Sequence, residues 1–157
     1  MNTWVLPDDV RLSELLAFFE FDVTRAKAEL GASIESGLPL EPVAGDFSGG
    51  QYYLCGDAGS GRPVLYASSE GQAGLIANNL REAVELVVGL PCWHDCLTFA
   101  DFEPKPLTRT SHQDEAAQLL ALKLPAQEVL LARLRAAVLR STSGYVFRDE
   151  TGEYEGL

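Results

Sequence analysis

Between residues 40 and 77 the apolar residues fall into four short runs, near 40–44, 51–56, 62–68 and 73–77. These runs are rich in Val, Leu, Ile and Tyr, and glycine clusters separate them. Glycine supplies the positive φ that tight turns require, so the pattern predicts an antiparallel meander of three or four strands. On both sides of the meander the apolar period is helical. "LPDDVRLSELLAFFEF" places Asp8 and Asp9 ahead of Val10, Leu12, Leu15, Leu16 and Phe19, which predicts a helix with an acidic first turn. "NNLREAVELVVGLP" reads as a helix capped by Asn78 or Asn79, with Leu80, Ala83, Val84 and Val87 inward and Gly89 and Pro91 ending the run.

The flanks complete an α+β chain. "VTRAKAELG" after Asp22 predicts a second short helix closed by Gly31, and "ASIESGLPLEP" a loop with turn residues. "PCWHDCLTFADF" predicts one more short helix, and "EPKPLTRT" a proline-bearing connector and hinge. Ser111 with Asp114 reads as an N-cap pair opening "HQDEAAQLLALKL". "PAQEVLLARLRAAVLR" follows, with Pro125 in its first turn and Leu130, Leu134, Ala137 and Val138 on one face, so the two segments predict a helical hairpin. The end, "YVFRDETGEYEGL", reads as a strand, a turn at "ETG" and an acidic tail. With 157 residues, 46% of them hydrophobic, a single domain spanning 1–157 is expected.

Charge narrows the partners. The formal net charge is −11, and residues 1–60 carry ten Asp or Glu against Arg11, Arg25 and Lys27. Phosphate backbones and anionic membrane surfaces are repelled by such a chain, so neither nucleic acid nor a membrane is an expected partner; a basic protein or a cationic ligand is attracted. No apolar run approaches the roughly 20 residues of a membrane-spanning helix, and "MNTWVLPDDV" lacks the regions of a signal peptide, which predicts a cytoplasmic protein. Cys55, Cys92 and Cys96 make an odd count that suits free thiols in a reducing compartment.

The candidate chemistry is sparse. "GDAGSGRP" contains neither a P-loop nor a dinucleotide fingerprint, and Arg62 and Pro63 lead into a strand-like run that offers no helix N-terminus to an anion. "CWHDC" puts four potential metal ligands, Cys92, His94, Asp95 and Cys96, within five residues. A structural zinc site draws a second ligand pair from elsewhere, and only the isolated Cys55 and His112 remain, so small buried cysteines and a packing tryptophan are the favoured reading. No G-x-S-x-G elbow occurs. The residues therefore predict neither a cofactor, a metal nor a catalytic centre.

The run "VAGDFSGGQYYLCGDAGSGRPVLYASSEGQAGLIANNLREAVELVVGLPCWHDCL" resembles the core of the SUKH superfamily, which comprises bacterial immunity proteins and eukaryotic cell-wall-regulator-like proteins. Four features carry the resemblance: "GDFSGGQYYL", a turn entering a strand; "PVLY", the next strand; "SSEGQAGLIANNLREAVELV", leading into a helix; and "LPCWHD" with its tryptophan. The match is clearest over residues 43–97, and the helical part over 111–141 is variable among relatives. The resemblance implies an antiparallel sheet of about four to six strands flanked by helices. It also implies a protein that works by binding another protein, an immunity protein that neutralises a basic toxin domain. A regulatory scaffold for an endogenous protein is the alternative, and a metal- or thiol-dependent enzyme centred on Cys92, His94 and Cys96 is a third. The contact surface is expected near the meander and its following helix. Tyr52 and Tyr53 face opposite ways on a strand, so one is expected to point outward as a contact, with Asp46, Asp57 and Glu70 as acidic contacts.

Overall fold

The computed structural model describes residues 4–57, 61–98, 110–141 and 144–157. Helix α1 (Val10–Phe18) begins as the acidic start predicts: the Asp9 side chain accepts the Leu12 N–H at 2.9 Å. Its inner face buries Leu12, Leu15 and Leu16, each worth about 1.5–3 kcal/mol of removed apolar surface. The segment after Asp22 corrects the expectation of a second helix. Only a 3₁₀ turn, Val23–Arg25, forms there, and the chain then runs on without helical bonding. Its Lys27 N–H donates to Gln51 Oε1 at 2.8 Å and its Glu29 N–H to Tyr53 Oη at 2.9 Å, so side chains of the meander take donors that a helix would satisfy internally.

Strand β1 (Ser33–Ile34) leads to the four expected strands, β2 (Leu40–Gly45), β3 (Gln51–Cys55), β4 (Val64–Ala67) and β5 (Gln72–Ala77), paired antiparallel in sequence order. Tyr52 stands opposite Ala44 on one side and Tyr66 on the other. Helix α2 (Leu80–Gly89) follows, capped by Asn79, whose Oδ1 accepts the Glu82 N–H at 2.9 Å. Helix α3 (Trp93–Thr98) fills the "CWHDC" segment. The cap of α4 (Ser111–Leu120) is Thr110, one residue before the expected Ser111, because Thr110 and Gln113 close a reciprocal capping box. Helix α5 (Gln127–Arg140) starts after Ala126, with Pro125 just outside it.

The expectation of a helical hairpin is corrected: α4 and α5 pack mainly on other elements rather than on each other. Helix α4 packs on α1 and α2, whereas α5 lies mainly on β5 and also meets α2 and α3. The C-terminal strands are β6 (Phe147–Asp149), β7 (Gly152–Glu153) and β8 (Glu155–Gly156). Strand β8 runs parallel to β5 and extends the main sheet to five strands, ordered β2-β3-β4-β5-β8; β1, β6 and β7 make a second, small sheet. The architecture is α+β, an antiparallel meander flanked by helices.

Both faces of the main sheet are covered, which decides the fate of the paired tyrosines. One face packs Tyr52 and Tyr66 with Leu12, Leu16, Val84 and Trp93; the other packs Tyr53 with Ile34, Leu65, Leu75 and Phe147. Tyr52 and Tyr53 do face opposite ways, yet each is 0% exposed, so the expectation that one points outward is corrected. No helix among the described residues is long and apolar enough to cross a membrane. The proline connector over 103–109 and the middle of "GDAGSG", residues 58–60, lie outside the described residues.

Candidate functional site

An antiparallel meander puts alternate loops at the same end of the sheet. The β2–β3 hairpin, residues 46–50, therefore lies beside the β4–β5 turn, residues 68–71. The hairpin is tight: the Gly49 N–H donates to the Asp46 carbonyl at 3.2 Å, the Asp46 N–H to the Gly50 carbonyl at 3.0 Å, and Gly49 sits at φ +100°. This is a turn followed by a left-handed residue, the conformation in which glycine replaces others at no steric cost. The "GDFSGG" glycines thus turn the chain, as the sequence pattern predicts.

Asp46 organises that turn. Its Oδ1 accepts the Ser48 N–H at 3.0 Å, the Ser48 hydroxyl at 2.7 Å and the Gly50 N–H at 2.8 Å, and its Oδ2 accepts the Tyr66 hydroxyl. Burial alone would push the carboxyl up, but the donors from Tyr66, Ser48 and Gly50, with His94 nearby, outweigh it and hold the group below its ordinary value. Tyr66 shifts the opposite way, raised by burial and by donating to the carboxylate. It stays a hydroxyl, a donor rather than a base. Gly50 permits the approach: a Cβ there would stand 2.7 Å from Tyr66 Cζ and 2.8 Å from Asp46 Oδ2.

Beside this hairpin lies a cleft of about 460 Å³. Its buried base is Asp46 and Tyr66; Glu20, Phe47, Ser48, Ser68, Ser69, Glu70 and Gln72 line it toward solvent, with His94 and Leu97 of α3 and Leu157. His94 stacks on Trp93 with ring centroids 3.7 Å apart and meets the Tyr66 ring edge-on at 4.9 Å. Burial lowers its pKa against the opposing pull of Asp46, Asp95 and Glu20, which favours the neutral imidazole at neutral pH. Glu20 holds φ +64°, and its Oε2 accepts the Phe47 N–H at 2.8 Å, which sets the rim of the cleft. Phe47 is 80% exposed, and the Arg25 guanidinium lies 5.8 Å from its ring centroid.

The five expected contact residues separate here. Asp46 and Glu70 both line the cleft, Asp46 buried at its base and Glu70 exposed on its side. Asp57 is exposed but follows β3 at the opposite end of the sheet. Tyr52 and Tyr53 serve the interior, Tyr52 donating to the Glu20 carbonyl at 3.1 Å and Tyr53 accepting from Glu29. Sequence reasoning missed Glu20, Phe47 and Tyr66. Only the glycine pair gave a clue, because two small residues before a strand leave room for a neighbouring ring. Among the described residues no group of three or more His, Cys, Asp or Glu is placed to hold a metal ion. His94 turns toward Tyr66, while Cys92 and Cys96 contact each other. The arrangement presents exposed carboxylates and an exposed aromatic residue around a cavity lined by both polar and apolar groups. Comparison with family models, with curated proteins and with solved structures finds no match for this chain.

Proposed function

We propose that this chain is a non-enzymatic protein-binding domain of the SUKH kind, an immunity protein that neutralises a basic toxin domain. The observation that carries the proposal is the cleft at the hairpin end, where Glu20 and Glu70 flank an exposed Phe47 in a protein of net charge −11. An acidic surface speeds encounter with a basic partner, and an exposed aromatic ring beside carboxylates suits an incoming Arg or Lys. The Arg25 guanidinium beside Phe47 shows that geometry in miniature. Asp46 supports the reading from below, since its two oxygens are occupied in holding the hairpin that presents the rim.

The test is affinity capture from the native organism with the wild-type protein and with Phe47→Ala and Glu70→Lys variants in parallel. Both positions are exposed, so folding is expected to survive either change. The proposal expects one basic protein retained by the wild type, lost from both variants, and toxic when expressed without this chain. A retained partner that is harmless to the cell would favour the regulatory scaffold, and no retained partner would overturn both.

A further inference from the structure

We propose that residues 155–157 are a displaceable strap, holding the place on the edge of β5 that an extended segment of the partner takes. The inference rests on the reading of the cleft as the site of a basic partner. Glu155 and Gly156, both exposed, cross the edge of β5 from one face of the main sheet to the other. Before them Tyr154 packs with Phe147 on the second face; after them Leu157 packs on the first, where it lines the cleft with Leu97 and His94.

Anchorage is unequal on the two sides, which places the hinge. The Tyr154 N–H donates to the Phe147 carbonyl at 2.8 Å, its hydroxyl donates to Asp149 Oδ2 at 2.6 Å, and its ring meets Phe147 edge-on at 4.7 Å. Beyond Tyr154 the register is two residues long, Gln72 with Glu155 and Ala73 with Gly156, and it is parallel. The other strands of this sheet pair antiparallel over four or five residues, the stronger arrangement. The Glu155 N–H donates to the Gly71 carbonyl at 2.9 Å, and Leu157 rests over Gly74, its Cγ and Cδ1 3.3 Å from where a Cβ would stand. Glycine at 74 thus leaves a notch that one apolar side chain fills. Glu155 lies across from Gln72, two residues from Glu70, and both glutamates are exposed. Carboxylates gathered at one edge favour opening, and a basic segment in the same slot meets them with the opposite sign. Gln72, Glu70 and Leu157 all line the cleft, so the vacated ground is continuous with it. An added strand takes its affinity from the freed backbone groups of β5 and its selectivity from the notch over Gly74.

The test is amide hydrogen exchange followed by NMR, on the full chain alone and with the captured basic protein. In the free chain, Leu157→Ala should speed exchange of the Glu155 N–H about tenfold, because the apolar contact over Gly74 is lost. The Tyr154 N–H should keep its rate, since it lies on the anchored side. Leu157 is only partly buried, so the variant is expected to fold. In the complex the wild-type Glu155 N–H should exchange faster than in the free chain, the reverse of what binding over a retained strap gives, and Leu157→Ala should associate with the partner several-fold faster. Rates of Glu155 and Tyr154 that rise together in Leu157→Ala, or that both stay unchanged, would overturn the hinge. A Glu155 N–H as protected or more protected in the complex, or association no faster in Leu157→Ala, would overturn the displacement. Capture of no basic protein would overturn the proposed function, while the free-chain rates still judge the strap.

Discussion

Replacing Tyr66 by phenylalanine removes one oxygen and keeps the ring that packs against Tyr52, Trp93 and His94. The oxygen is the donor to Asp46 Oδ2 at the base of the cleft. Hydrogen bonds to charged groups contribute about 1.5–3 kcal/mol, and a buried acceptor left short of a donor keeps its desolvation cost. We expect Tyr66→Phe to lose about 2 kcal/mol at neutral pH, which for a chain of this size lowers Tm by roughly 4–8 °C. The loss has a definite pH dependence. Asp46 is held below its ordinary value in the fold, so its contribution is complete above the unfolded carboxyl pKa, about 3.9, and fades as pH falls through the folded value. Phenylalanine removes one of the donors that lower it, so the folded value rises and less of that contribution remains to be lost. Urea unfolding followed by tryptophan fluorescence, at neutral pH and in acid, reads both effects. Equal midpoints at neutral pH, or a gap that persists unchanged in acid, would show that the Tyr66 hydroxyl does not stabilise an ionised Asp46.

Gly50→Ala should cost about 1–3 kcal/mol, because its Cβ would crowd Tyr66 and Asp46. Combined with Tyr66→Phe the two costs should fall short of their sum, since both act through the same hydroxyl; a denaturant double-mutant cycle checks this. Thr110→Ala should cost about 1 kcal/mol by opening the α4 capping box, whereas Ser111→Ala should be nearly silent. Thermal melts of the two variants distinguish the cap in the structure from the one the sequence pattern favours.

The meander was legible because its strands alternate with glycine turns, and α1 and α2 because Asp9 and Asn79 announce their first turns. The segment 23–31 was not legible as extended chain. Its Leu30 remains 71% exposed, so no apolar face stabilises a helix, and the donors at Lys27 and Glu29 find partners on β3 that only the tertiary fold brings near. The misjudged exposure of Tyr52 and Tyr53 has a similar origin. Ile34 of β1 and Phe147 of β6 cover Tyr53 on the second face of the sheet; the C-terminal strand was legible, but β1 is two residues long and its pairing with β6 joins distant parts of the chain. For the cleft, Asp46 and Glu70 were visible as acidic residues beside turns. Glu20 was not, because what brings it to Phe47 is a residue outside both strands that adopts positive φ.

The proposed binding of a basic protein by the acidic rim with Phe47 is tested by the affinity of the captured partner for the wild type and for Glu70→Lys, measured by titration calorimetry across a series of salt concentrations. Wild-type affinity should fall as salt shortens the range of the charges, and Glu70→Lys should bind more weakly with a flatter salt dependence. Affinity that ignores both salt and the charge at residue 70 would contradict it.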